Sequence, residues 1–241
     1  MIDKLLIAAL KPEWSFLKQD FTIKRDDKYH NLYKITDFSN AYLLQTGAGM
    51  TKALSTLQEV LATSLPASVL HFGSSGSLKQ EIQAEDLFLA QDISHNDQTL
   101  TIDSNFLTQL PSFFEQQPIT FHQGTLLTVE KALINFEQKE KASLEYKAQC
   151  VDMESFVIAK FCQERNIPYT SVRAIFDGFE DNIENLGEPY SQEGDLKASK
   201  LAANLVKSPK LIMQLPALQK RHQRICQKLR KVVHFYLRTN V

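Results

Sequence analysis

The sequence predicts an α/β domain with a largely parallel or mixed sheet, and three observations carry that expectation. Short apolar, β-rich runs alternate with helix-period segments along most of the chain. The length of 241 residues suits one fairly large hydrophobic core. Only eight glycines are present, about half the usual share, and four of them fall in two short pieces, TGAG (46–49) and GSSG (73–76), each at the end of an apolar run.

In chain order, KLLIAAL (4–10), AYLLQTG (41–47), SVLHFGS (68–74), DLFLAQDI (86–93) and YTSVRAIFD (169–177) read as strands. Helical patterns cover 50–63, 151–166 and 195–207. The second should stop at Asn166-Ile167-Pro168, because proline cannot continue a helix and disfavours the α region before it. The polar stretch 181–194, with two glycines and a proline, reads as a loop. Leu211 to Tyr236 should form a terminal helix, or a helix pair broken near Pro216.

Composition excludes several functions. A net charge of −1 gives no global reason to expect nucleic acid as a partner. Three cysteines, unclustered and none at metal-ligand spacing from a histidine, argue for a reduced, cytoplasmic setting without a disulfide framework or metal site. The apolar run at the N-terminus is too short to span a membrane and reads as a first strand. Charge is uneven, however. From Val206 onward there are nine Lys or Arg and no Asp or Glu. That tail could touch a membrane surface, or simply present a solvated charged face.

The chemistry-bearing residues stand at element ends. Gly73 and Ser74 belong to a small-residue loop whose N–H groups can point at an anion or a hydroxyl. Neither glycine piece completes a dinucleotide or Walker motif, so two tight turns are the plainer alternative. Glu13 follows the first strand, beside Pro12, which can open a helix. Asp177 ends a strand on which Arg173 shares its face, and the two could pair or could both serve a site. Asp152 suits a helix N-cap. Glu154 falls at helical spacing from Ile158 and Phe161, on an apolar stripe where a carboxylate needs a partner.

These pieces, LLIAALKPEW, TGAGMTKA, HFGSSGSL, EDLFLAQD, VDMESFVIAKFCQERNIP and SVRAIFD, resemble the nucleoside phosphorylase/nucleosidase superfamily in order and spacing. Within it they are most similar to the bacterial methylthioadenosine/S-adenosylhomocysteine nucleosidases. The resemblance runs from about residue 4 to residue 206 and is strongest over 148–177. It implies one domain (1–206), a twisted mixed sheet flanked by helices, followed here by a basic amphipathic extension (207–241). It further implies a cytoplasmic homodimer without cofactor, acting in nucleoside metabolism and methionine salvage. By matched position, Glu13 is the acid that activates water, Glu154 binds the ribose hydroxyls with Met153 on the sugar, and Asp177 protonates N7 of the purine. Arg173 and Ser74, with Gly73 in the same loop, help place the water. Leu133 falls where the backbone reads the base edge.

Departures from the pattern bear on the base and the 5′ group. Phe176 stands where Ser or Thr commonly precedes the acid, and Ala132 where an aromatic residue stacks on the purine. The segment after Asp92, which in the family helps to wall the 5′ group, is short. A phosphorylase must hold a dianion with cations and N–H groups; His71 and Glu13 occupy positions where arginine would serve that purpose. Hydrolysis of a 5′-modified adenosine is therefore the expectation. A phosphorylase, for which a lipid-linked adenosyl compound is one candidate substrate, and a non-catalytic nucleoside-binding protein are the alternatives.

Overall fold

The computed structural model describes residues 2–183 and 209–239. The predicted helix over 195–207, most of the predicted 181–194 loop and the boundary drawn at residue 206 lie outside them.

The described strands make one mixed sheet around two apolar clusters. β1 (Ile2–Ala8) lies parallel to β4 (Ala41–Gln45) and to β5 (Pro66–Ser77). β5 is long enough to serve two neighbourhoods. Its body pairs in parallel with β10 (Tyr169–Asp177), and its last residues, Gly76 and Ser77, pair with β9 (Cys150–Asp152). β10 also pairs with β6 (Leu87–His95), β6 with β8 (Phe121–Thr128), and β8 with β9, so five strands close a circuit. The hairpin β2 (Ile23–Arg25) and β3 (Leu32–Ile35) forms the far edge, and β7 (Gln98–Thr101) folds back on β6. The carboxyl ends of β1, β5 and β10 point the same way, the position where open α/β sheets bind ligands.

Among the described residues four α-helices precede the terminal one: α1 (Met50–Val60), α2 (Asn105–Glu115), α3 (Phe136–Tyr146) and α4 (Ser155–Gln163). The five predicted strands are all present, β10 with the predicted bounds. The predicted helix from Val151 is corrected. Residues 150–152 are a buried strand, and the helix begins only at Ser155. Glu154 is thus the N-cap residue, at φ −133°, and does not stand on the helical stripe. Its carbonyl still accepts from the N–H of Ile158. The predicted stop holds: Asn166 turns left-handed at φ 56°, and Ile167 N–H closes onto the Cys162 carbonyl.

The terminal helix α5 (Pro209–Arg238) is continuous through Pro216, so the break allowed there does not occur. Downstream of the proline, Ile225, Leu229, Val232, Val233, Tyr236 and Leu237 are buried in the same cluster as Leu6, Leu70 and Val172. Burial of that face, rather than local propensity, holds the helix. Its basic residues are not all left to solvent either. Arg230 pairs with Asp20, Arg221 with Asp181 at 2.7 Å, and Arg224 with Glu85 at 3.3 Å. The body of the protein supplies the acids that the tail lacks. Among the described residues no helix is long and apolar enough to cross a membrane.

Candidate active site

A cavity of about 230 Å³ opens where β1, β5, β9 and β10 end. Glu13, Ser74, Met153, Glu154 and Asp177 all line it, with Leu133 and Phe176 on its wall.

Glu13 sits at the end of a 3-10 turn, Lys11–Glu13, opened by Pro12. Its carboxylate is the most heavily donated group of the site. Oε1 accepts from Ser74 N–H at 2.8 Å and Ser74 Oγ at 2.7 Å; Oε2 accepts from the N–H groups of Ala9 (3.1 Å) and Leu10 (3.0 Å). Ser74 Oγ is the only side-chain donor of the four, and so the easiest for a water to displace. Gly73 is glycine for reasons of space. A Cβ there would stand 2.7 Å from Glu13 Oε1 and 2.8 Å from Arg173 Nη1.

Glu154 is 8% exposed, and Gly49 N–H donates to its Oε1 at 2.7 Å. Burial, then the neighbouring Asp152, push its carboxyl up to about 8. An unfolded glutamate titrates near 4.5. Between those values the folded protein keeps a proton that the unfolded chain has released, so this group makes stability fall as pH rises. Urea unfolding between about pH 5 and 8 should therefore show a decline for the wild type that is flattened in Glu154→Gln. Equal slopes would mean that Glu154 does not titrate in this window.

Behind the cavity lies a buried polar network. Arg173 Nη2 donates to Asp152 Oδ2 at 2.6 Å and to Ser155 Oγ at 2.8 Å, and approaches His71 Nε2 at 2.8 Å. Burial works against the guanidinium charge, but Asp152, Tyr169, Glu154 and Glu13 together outweigh it and the proton is held more firmly than usual. Burial and Arg173 hold His71 well below its ordinary range, hence neutral, with Nδ1 on Tyr169 OH at 2.8 Å. Asp152 accepts from Ser155 N–H at 3.2 Å, as a cap would, but its main partner is Arg173. Arg173 and Asp177 do not pair. Four residues of extended strand put them roughly 13 Å apart, and each takes another partner.

The partner of Asp177 is Lys139, on α3, with Nζ at 2.6 Å from Oδ2. Burial raises the carboxyl of Asp177 above its ordinary range, and the Lys139 charge opposes this without cancelling it. Gly76 makes room for the acid, since a Cβ there would stand 2.8 Å from Asp177 Oδ2. Phe176 is half-buried against the main cluster, and its carbonyl accepts from Arg221 Nη1 at 2.8 Å. Ala132 lines the same cavity. One exclusion drawn from the sequence is corrected: Cys226 does stand beside a histidine, with its Sγ 3.4 Å from His222 Nε2 one helical turn away. Lys139 was missed altogether. Its only signal in sequence is a lysine in a polar helix, which reads as solvated.

The fold and site together define an α/β protein with four acidic residues, Glu13, Asp152, Glu154 and Asp177, around one small cavity at the ends of its strands. The chain belongs to the phosphorylase superfamily, whose family model matches residues 6–208. It is similar to the 5′-methylthioadenosine/S-adenosylhomocysteine nucleosidase of Staphylococcus aureus, at 22% identity over 222 residues, 83% of this chain and 97% of that one. Its fold is similar to a mutant 5′-methylthioadenosine nucleosidase of Helicobacter pylori solved with 5′-methylthioadenosine in the active site (TM-score 0.72, 16% identity, 97% and 99% coverage). The futalosine hydrolase of the same organism matches equally well in fold (TM-score 0.72, 18% identity, 97% and 98% coverage). These structural matches reach past residue 208, so they take in much of the terminal helix.

Proposed function

We propose that this protein hydrolyses the N-glycosidic bond of a 5′-modified adenosine, such as 5′-methylthioadenosine or S-adenosylhomocysteine, and releases adenine. The observation that carries the reading is the placement of Glu13. The N–H and hydroxyl of Ser74, which could hold a phosphate, are engaged by a carboxylate instead. Arg173, the nearby cation, is committed to Asp152. An acid there repels a dianion and suits a water.

In this reading a water displaces the Ser74 hydroxyl on Glu13, loses a proton to the carboxylate and attacks C1′. The C1′–N9 bond breaks as Asp177 gives its proton to N7, so the base leaves neutral. Glu154 accepts from the ribose hydroxyls, whose hydrogen bonds favour its ionised form over the proton that burial retains, and the anion stabilises the positive charge developing on the sugar, with Met153 against the ring. Proton return from Glu13 to Asp177 through solvent restores the site. Leu133 and Phe176 border the base, and the acid at 177 favours a 6-aminopurine. The working form is a homodimer, with the segment after Asp92 near the 5′ group.

Chromatography of 5′-methylthioadenosine, S-adenosylhomocysteine and futalosine incubated with the protein tests the proposal. Equal release of adenine from 5′-methylthioadenosine or S-adenosylhomocysteine, with and without phosphate, supports it. Release only with phosphate would replace it by a phosphorylase, and binding with no base released from any nucleoside would end the enzyme reading.

A further inference from the structure

α3 is a polar helix, yet Lys139 on it is fully buried, with a relative exposure of 0%. A buried ammonium is tolerated only when its charge and its three N–H groups are all matched. Here they are. Nζ meets Asp177 Oδ2 at 2.6 Å and donates to the carbonyls of Gly178 at 2.6 Å and Asp181 at 3.2 Å. The same short segment is gripped from the other side by Arg221, which donates to the Phe176 carbonyl and to Asp181 Oδ2. Asp181 Oδ2 in turn accepts from Gly178 N–H at 3.0 Å. Segment 176–181 is thus clamped between two cations, and only Lys139 touches the acid that faces the cavity.

This arrangement is not what a simple proton donor requires. A general acid next to a permanent cation gives up its proton too early unless something opposes the cation. Burial of the Asp177 carboxyl is that opposing effect. We propose that Lys139 is a positioning residue, which fixes one oxygen of Asp177 and governs how firmly that acid keeps the proton it delivers to the base. The inference rests on the role of Asp177 in the proposed reaction.

The other groups facing Asp177 are Asp181 on its own segment, Arg221 from α5 and the buried thiol of Cys150 on β9. Glu13 and Glu154 line the same cavity. All of them stay in place in Lys139→Met, which has similar reach and no charge. With Lys139 gone, only the weaker effect of Arg221 still opposes burial, and Asp177 keeps its proton to higher pH. The alkaline limb of the kcat/KM profile on 5′-methylthioadenosine should move up by about one pH unit or more, while the acid limb stays. Lys139→Arg, which keeps the charge, should leave the alkaline limb near the wild-type position. Lys139→Gln carries the same expectation as Lys139→Met if the methionine variant does not fold.

An unmoved alkaline limb, whatever the loss in kcat, would reduce Lys139 to a brace for the loop and overturn the proposal. A second readout separates this failure from failure of the nucleosidase reading. Calorimetry of adenine binding in buffers of different ionisation enthalpy counts the protons taken up. If no nucleoside is turned over, the proposed reaction falls, but the pH at which adenine binding begins to take up a proton must still rise in Lys139→Met. The same onset in both proteins would sink the role given to Lys139.

Discussion

Glu13→Gln should lower kcat on a 5′-modified adenosine by roughly 10²- to 10⁴-fold while leaving nucleoside binding in place. The amide has the shape of the acid and cannot take a proton from water. The hydrogen bonds around Glu13 add a second consequence. Each of its oxygens accepts two donors, one pair from Ser74 and the other from Ala9 and Leu10. A glutamine must turn its NH2 toward one of those pairs and leave donors facing donors. The variant should therefore also lose about 1–3 kcal/mol of stability, read by urea unfolding. Full turnover in Glu13→Gln would rule out the role assigned to this residue, and so would loss of binding together with loss of rate.

Asp177→Asn should have the other large effect, and it should act on both rate and stability. The rate falls by about 10²- to 10⁴-fold because the leaving base no longer receives a proton. Stability falls because the buried Lys139 side chain loses its carboxylate partner. Removal of one partner from a buried pair costs about 3–5 kcal/mol. The double variant Lys139→Met/Asp177→Asn separates the two effects. It should recover most of the lost stability and none of the lost rate. Wild-type turnover in Asp177→Asn would remove the acid from the mechanism. No recovery of stability in the double variant would mean that the ion pair is not what the single variant breaks.

The strands legible in the sequence are those buried on both faces, where continuous apolar runs leave little choice. β1, β5 and β10 are of this kind, and they carry Glu13, Ser74 and Asp177 to one place. The edge hairpin β2–β3 and strand β8, with half-exposed residues among the buried ones, have no such run and were not seen. Helices α2 and α3 escaped for related reasons. The first holds an internal proline, and the second is mostly polar. Glu154 was recognised as a buried acid for the wrong local reason. Periodicity placed it on a helix stripe, whereas the strand–turn–helix junction at 152–155 buries it as a cap residue.

Partners brought in from a distance were the illegible part of the site. Nothing near Asp177 in sequence announces Lys139, which is 38 positions away on another element. Arg173 likewise takes Asp152 as its partner, 21 positions away on β9, and no local pattern marks that pairing. The basic run after Val206 was open to two readings because its counter-charges, Asp20, Glu85 and Asp181, all belong to the body of the protein.

In the proposed reaction water, placed by Glu13, is the group that reaches C1′. Mass spectrometry of the sugar released from 5′-methylthioadenosine in phosphate buffer tests it most directly. Free 5-methylthioribose and no phosphorylated sugar are expected. A pentose 1-phosphate would contradict it, and would mean that phosphate enters a site where a carboxylate now takes the donors.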